Sequence, residues 1–365
     1  MNIVHVVGAR PNFMKVAPVR EALAHYEGVS QVLLHTGQHY DVNMSDVFFQ
    51  QLGMPAPDIN LEVGSGSHAF QTAQVMMRFE EAVLTEKPEL VLVYGDVNST
   101  IAAALVCAKL GIAVGHVEAG LRSFDRTMPE EINRMLTDRI ADLLFTPSAD
   151  GDENLLQEGI SAEKIHLVGN VMIDTLVRML PEAAAQWDNL AGKLKIVDDP
   201  YLLVTLHRPS NVDEPVMLAQ IMAALDELSE QIQVLFPIHP RTRARIAASG
   251  LTFRGNGRLQ LIDPIGYLDF LSLQQHARLV ITDSGGIQEE TTFLGVPCLT
   301  IRENTERPVT VTMGTNTLVG QDMTLLRGEI NRRLAGEVKK GSIPPLWDGK
   351  AGERIAEIIA DRYLR

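Results

Sequence analysis

Leu90-Val-Leu-Val-Tyr-Gly-Asp-Val-Asn-Ser-Thr100, continued through an Ala-rich run to Leu110 and into Ile112-Ala-Val-Gly-His116, decides the fold class. Residues 90–94 are a continuous apolar run of strand length, closed by Gly95. Residues 100–110 suit a helix, and 112–116 read as a second short buried strand. Strand, turn, helix and strand make up the repeating unit of a parallel sheet. A Gly just past Glu118 places that carboxylate at a strand's carboxyl end, with Glu130 and Glu131 on the connection that follows. Ligands of open α/β sheets sit at such ends. Carboxylates gathered there, with Arg122 and Arg134 beside them, suit acid/base chemistry on an anionic or polar substrate. A solvated loop with surface ion pairs is the competing reading.

The unit recurs in both directions. Residues 3–7 form a strand ended by Gly8, Arg10-Pro-Asn-Phe-Met-Lys15 reads as a loop, and Val19, Leu23 and Tyr26 give helical spacing over 16–26. Further strands fall at 31–36, 142–146 and 164–168. Residues 172–199 loosen into polar, Ala-rich helical sequence, the passage between domains. Strands then restart at 201–206, 233–237, 259–262, 279–282, 297–301 and 317–319, and 351–364 has the spacing of a final helix. The expected fold is α/β, with two Rossmann-like doubly wound domains facing a cleft. They cover 1–171 and 172–350, and 351–365 is expected to pack back on the first.

Composition narrows the function. The chain has 365 residues, 45% of them apolar, enough to bury substantial cores. Its net charge of −14 argues against nucleic acid and against an anionic membrane surface, while leaving room for a local basic pocket. The two cysteines, Cys107 and Cys298, lie in apolar runs and read as buried thiols of a reducing compartment. With no basic leader and no long apolar run, the expected location is cytoplasmic. No His or Cys pair has metal-ligand spacing, so no metal is expected.

Polar residues gather at the predicted strand ends: Arg10, Gln38, His39, Asp96, Glu118, Asn170, His207, His239 and Asp283. Together they suggest one inter-domain active site. Asp283-Ser-Gly-Gly-Ile-Gln-Glu-Glu290 lies between a strand and a helical run. Ser284, Gly285 and Gly286 would offer free backbone N–H groups to a phosphate, and Glu290 would accept from ribose hydroxyls. The alternative is an N-capping Asp or Ser followed by ordinary first-turn acids. His207, beside Arg208, suits a pyrophosphate donor or a proton shuttle. Asp96 precedes a helix that Asn98 or Ser99 would cap, and Arg10 and Lys15 bring positive charge to the same rim. The absence of Walker A and G-x-G-x-x-G sequences removes support for ATP hydrolysis and dinucleotide redox chemistry.

Gly8-Ala-Arg-Pro, Gly95-Asp, His116-Val-Glu-Ala-Gly-Leu-Arg, Pro129-Glu-Glu-Ile-Asn-Arg, Gly169-Asn, His207-Arg, Asp283-Ser-Gly-Gly-Ile-Gln-Glu-Glu and Arg302-Glu-Asn-Thr-Glu-Arg-Pro together resemble the non-hydrolysing UDP-N-acetylglucosamine 2-epimerases. The resemblance implies a GT-B-like fold and a cofactor-independent, homodimeric enzyme that interconverts UDP-GlcNAc and UDP-ManNAc. It implies elimination of UDP to a bound 2-acetamidoglucal, then re-addition with inversion at C2. On this basis Asp96, Glu118 and Glu130 are the carboxylates that move protons or steady oxocarbenium charge, without allocation among them. Lys15 and His207 support the departing diphosphate. Arg10, Arg134, His239, Phe270, Ser284, Gly285, Gly286 and Glu290 hold the substrate, Phe270 by stacking on uracil. Gly64-Ser-Gly-Ser67 and Pro209-Ser-Asn211 depart from members that carry a second, regulatory UDP-GlcNAc site, so substrate activation is expected to be weak or absent. A 2-epimerase of a modified UDP-2-acetamido sugar, such as a diacetamido uronate, and a GT-B glycosyltransferase stay open as alternatives.

Overall fold

The computed structural model describes residues 1–37, 53–196, 199–253 and 257–364, with only the backbone of Arg10. Gln38 and His39 lie outside the described residues. The chain divides into two compact units, Met1–Val177 with Pro345–Arg365, and Arg178–Pro344.

The first unit is built on a parallel sheet of β1 (Asn2–Val7), β2 (Ser30–His35), β3 (Ile59–Asn60), β4 (Leu90–Tyr94), β5 (Ala113–Val117), β6 (Leu143–Thr146) and β7 (Ile165–Leu167). Their order is β3-β2-β1-β4-β5-β6-β7. The second carries β8 (Tyr201–Thr205), β9 (Gln233–Pro237), β10 (Leu259–Ile262), β11 (Leu279–Thr282), β12 (Cys298–Thr300) and β13 (Asn316–Leu318), ordered β10-β9-β8-β11-β12-β13. The central strands are apolar on both faces because helices cover both. Val4, Val6, Val91 and Val93 are buried in one cluster with Val75, Phe79 and Val83 of the helix His68–Glu86. In the second unit one face of the sheet packs Val204, Val234 and Ile281 on the helix Pro215–Leu228, while Tyr201, Leu203 and Val280 share a cluster with Leu190 and Leu273.

Strand order reverses between β1 and β4 in the first unit, and between β8 and β11 in the second. Such switch points open a crevice at the carboxyl ends of the strands. Gly8, Gly95, His207 and Asp283 all lie within two residues of those strand ends.

Several local expectations need correction. The predicted loop 10–15 is helical: the helix runs Arg10–Leu23, not 16–26. Pro11 suits its first turn, where the missing N–H costs nothing, and Asn12 Oδ1 accepts from the N–H groups of Gly8 (3.1 Å) and Ala9 (3.0 Å). Neither Asn98 nor Ser99 caps the helix Asn98–Leu110; Val97 holds the N-cap position without a side-chain bond. Ser99 instead bonds Thr36, and Asn98 bonds Gln71. Asp283 is not a cap either, because it faces back to the β8 loop. The helix His68–Glu86 and the two-residue strand β3 are additions that the sequence patterns did not supply.

Residues 345–365 return to the first unit. The indole of Trp347 donates to the carbonyl of Pro147 at 2.8 Å, and the helix Ala351–Tyr363 packs on Arg10–Leu23. Asp174 accepts from the N–H groups of Ala351 (3.1 Å) and Gly352 (2.7 Å), capping that helix from across the unit.

Candidate active site

In the first unit Glu118 directly follows β5 with φ +73°, a left-handed conformation uncommon for a residue with a side chain. Its carboxylate pairs with the ammonium of Lys15, which the helix Arg10–Leu23 carries, and both groups are buried. Gly95 makes the pairing possible: it has φ +65°, and a Cβ there would stand 2.7 Å from Lys15 Nζ. Lys15 is therefore a buried partner of an acid rather than a solvated cation.

Asp96 follows Gly95 and receives a hydrogen bond from Arg134 Nη2, while Asn133 Nδ2 donates to the Asp96 carbonyl at 2.9 Å. Arg134 Nη1 donates to Glu131 Oε2 at 2.6 Å. Glu131 is buried and also accepts from Ser123 N, Ser123 Oγ and Phe124 N, each at 2.9 Å, so it orders the loop after Glu118. Glu130 and Glu131 occupy the first turn of the helix Pro129–Ile140, where the dipole favours negative charge. Glu130 and Asp96 share a pocket of about 330 Å³ with Ser65, Gly66, His68 and Gln71. Nothing in the local sequence joins 65–71 to the acids, and only long-range packing brings His68 and Gln71 there; Asn133 lies one turn from Glu130 on the helix Pro129–Ile140, and that spacing was the available signal.

In the second unit Asp283 is fully buried and accepts from the N–H groups of His207 (3.1 Å) and Arg208 (2.9 Å), and from Asn211 Nδ2 (3.0 Å). His207 Nδ1 lies 2.9 Å from Asp283 Oδ1, with 60% of the imidazole exposed. Burial alone would raise the Asp283 pKa, but the bonds and charge from His207, with Asn211 and Arg208, hold it below the usual carboxylate value. A carboxylate on Nδ1 fixes the tautomer and leaves Nε2 outward for a ligand.

Ser284 stands at the N-cap of the helix Gly285–Leu294 without a side-chain cap bond. A Cβ on Gly285 would stand 2.4 Å from Arg307 Nη1, so glycine admits the guanidinium over the helix start. Arg307 Nη1 and Arg302 Nη2 each donate to Glu306 at 2.6 Å. These three side chains come from the Arg302–Pro308 motif, whose charges at the end of an apolar strand were the available signal. Glu290 is buried and accepts from Tyr267 at 2.9 Å; burial pushes its pKa up to about 7. Phe270 packs against the apolar cluster of Leu203 and Leu273. His239 is exposed and caps the helix Pro240–Ala248, accepting from Arg241 N. The structure thus brings Lys15, Asp96, Glu118, Glu130 and Arg134 to one end of the first sheet, and His207, Ser284, Gly285 and Gly286 to one end of the second. The Arg10 side chain is outside what is described.

Two parallel, doubly wound units with polar groups at each switch point define a GT-B-like α/β protein. The profile of the UDP-N-acetylglucosamine 2-epimerase family matches residues 21–360. The chain is 43% identical over 359 residues to a UDP-N-acetylglucosamine 2-epimerase of Methanococcus maripaludis, covering 97% of each. It is 44% identical over 365 residues to the UDP-2,3-diacetamido-2,3-dideoxy-D-glucuronate 2-epimerase of Pseudomonas aeruginosa, covering 99% of each. The crystal structure of Methanocaldococcus jannaschii UDP-GlcNAc 2-epimerase in complex with UDP-GlcNAc and UDP superposes with a TM-score of 0.89 at 43% identity, over 99% of this chain and 100% of that one. The chain belongs to the UDP-N-acetylglucosamine 2-epimerase family, a family of isomerases.

Proposed function

We propose that the protein interconverts UDP-GlcNAc and UDP-ManNAc by inverting C2 of the sugar. The observation that carries the reading is the buried Lys15–Glu118 pair next to Asp96, with Glu118 in a left-handed backbone. A sugar C2–H has no neighbouring carbonyl, so its direct removal would leave an unstabilised carbanion. Loss of UDP across C1–C2 avoids that carbanion, giving a bound 2-acetamidoglucal to which UDP returns with protonation on the other face. Such chemistry requires fixed carboxylates around the sugar and a firmly held leaving group. Asp96, Glu118 and Glu130 supply the first. Lys15, Arg10, Arg134, His207, His239, Ser284, Gly285 and Gly286 supply charge and donors for substrate and diphosphate, with Glu290 on the ribose and Phe270 on the uracil.

Buried free thiols at Cys107 and Cys298 support a cytoplasmic setting. No helix among the described residues is long and apolar enough to cross a membrane. A homodimer is supported by exposed Phe70, Met77 and Leu84, seven residues apart along the helix His68–Glu86. The product would serve synthesis of a cell-surface polysaccharide. The Pseudomonas aeruginosa relative supports a second reading, a diacetamido uronate substrate, because its identity of 44% matches that of the UDP-GlcNAc enzymes. Proton NMR in D2O with each UDP-sugar separates the two. Deuterium entering C2 with growth of the epimer's anomeric signal identifies the substrate, and no exchange with either sugar overturns the proposal.

A further inference from the structure

We propose that His116 is a positioning residue: a buried imidazolium which, with Asp138, holds both the Gly95–Asp96 turn and Glu118 in place. His116 is fully buried on β5. Its Nε2 lies 2.8 Å from the Gly95 carbonyl and its Nδ1 lies 2.6 Å from Asp138 Oδ1. A carbonyl only accepts, so Nε2 carries a proton. Asp138 Oδ2 accepts from Gly120 N–H at 3.1 Å and from Arg122 Nη1 at 2.7 Å. Arg122 is charged at every accessible pH, so its 2.7 Å bond to Asp138 favours the ionised carboxylate, which only accepts. Nδ1 therefore also carries a proton, and the ring is a cation.

The surrounding charges make that cation affordable in a dry site. Arg122 forms a two-pronged pair with Glu158, at 2.7 and 2.8 Å, besides its bond to Asp138. Two cations, His116 and Arg122, thus face two carboxylates, Asp138 and Glu158, and the cluster is neutral.

Its geometry reaches both candidate acids. Asp138 grips the chain two residues before Glu118, through the His116 ring, and two residues after it, through the Gly120 N–H. Between those grips lies the left-handed residue itself. The other ring nitrogen of His116 holds the Gly95 carbonyl while Gly95 N–H donates to Val117 at 3.0 Å. One side chain therefore ties the turn bearing Asp96 to the strand end bearing Glu118. His116 acts through these two residues.

The kinetic part of this role rests on the epimerase reading above; the protonation state does not. The test begins with wild-type protein labelled with 15N-histidine, at pH 7.5 and without substrate. Both His116 ring nitrogens are expected to be protonated, the signal being assigned in the wild type by through-space contacts of the buried ring to the Gly95 and Val117 backbone. An unprotonated ring nitrogen overturns the proposal whether or not any variant folds. His116→Gln and Asp138→Asn are then compared with wild type for turnover of whichever UDP-sugar the wild type epimerises, for UDP affinity, and for thermal melting. Turnover is expected to fall about 100-fold, the cost of misplaced reacting groups, with UDP affinity within twofold. Turnover within threefold of wild type in a folded variant overturns the proposal, as does an equal loss of turnover and UDP affinity. If wild type epimerises neither UDP-sugar, the epimerase reading fails, while the NMR result still decides the imidazolium.

Discussion

The ammonium of Lys15 lies against the carboxylate of Glu118, and Gly95 leaves the space in which they meet. The two residues sit on different elements, the helix after β1 and the end of β5, and they meet because β4 lies between those strands. Replacing Glu118 by Gln keeps the shape and removes the charge. The expected result is a folded protein whose C2 deuterium exchange falls by about 100-fold or more, the range for loss of a general acid or base. Exchange at the wild-type rate would remove Glu118 from the chemistry.

Gly95→Ala addresses the same contact from the other side. The new methyl would press only on Lys15 Nζ, at 2.7 Å, with Glu118 Oε2 and Asn12 Nδ2 at ordinary contact distance, so the chain can adapt by moving the ammonium away from Glu118. The left-handed φ of +65° adds a penalty of about 1 kcal/mol. A modest fall in melting temperature is expected beside a much larger loss of turnover, about 10- to 100-fold. Proportionate losses of both would mean that the turn matters only for folding.

How legible this site was depends on the range of the contacts that make it. Residues 90–94 and 279–282 coincide with β4 and β11, because a continuous apolar run closed by Gly95 or Asp283 has few other readings. Strand order was not legible, since nothing within an apolar run names its neighbour. The helix His68–Glu86 escaped because its pattern is inverted in places: Gln71 is buried while Phe70, Met77 and Leu84 are exposed. Arg10–Lys15 looked like a loop because Pro11 and Asn12 disfavour helix interiors, although both suit a helix start. Glu118 could be placed at a strand end, but its pairing with Lys15 crosses 103 residues of sequence and needed the fold.

Asp283 predicts a response to acid. Its pKa lies below the ordinary 3.8, so the stability it lends is present above that value and is lost as the pH falls through the lower folded value. Asp283→Asn should melt lower than wild type at pH 7, with the gap narrowing below about pH 4. A pH-independent gap would mean that the lost hydrogen bonds to His207, Arg208 and Asn211, rather than the charge, set the cost.

Gly64-Ser-Gly-Ser67 brings only small side chains to its turn, and Ser67 is spent capping the helix His68–Glu86, where its Oγ accepts from Phe70 N at 3.2 Å. These four residues carry no amide or guanidinium side chain to hold a second nucleotide sugar, and the neighbouring Gln71 is buried and engaged by Asn98 at 2.9 Å, so the rate with UDP-ManNAc should rise hyperbolically. A sigmoidal curve, rescued by traces of UDP-GlcNAc, would show that a regulatory site has been built from other residues.

Glu290 gives a prediction of opposite sign to Asp283. Burial lifts its carboxyl from an ordinary 4.5 to about 7, with Tyr267 donating to it and Glu289 nearby. A raised carboxyl lends stability that is complete below the unfolded value and is lost as the pH rises through about 7. Glu290→Gln cannot ionise, so relative to wild type it should gain stability above pH 7, by on the order of 3 kcal/mol at most. Binding should move the other way. A ribose hydroxyl donates best to the ionised carboxylate, so wild-type affinity for uridine should rise from pH 6 to pH 8 while that of Glu290→Gln stays flat. Uridine is the appropriate probe because it lacks phosphates that titrate in the same range. Parallel pH profiles for wild type and variant would remove Glu290 from the ribose and leave it a buried partner of Tyr267.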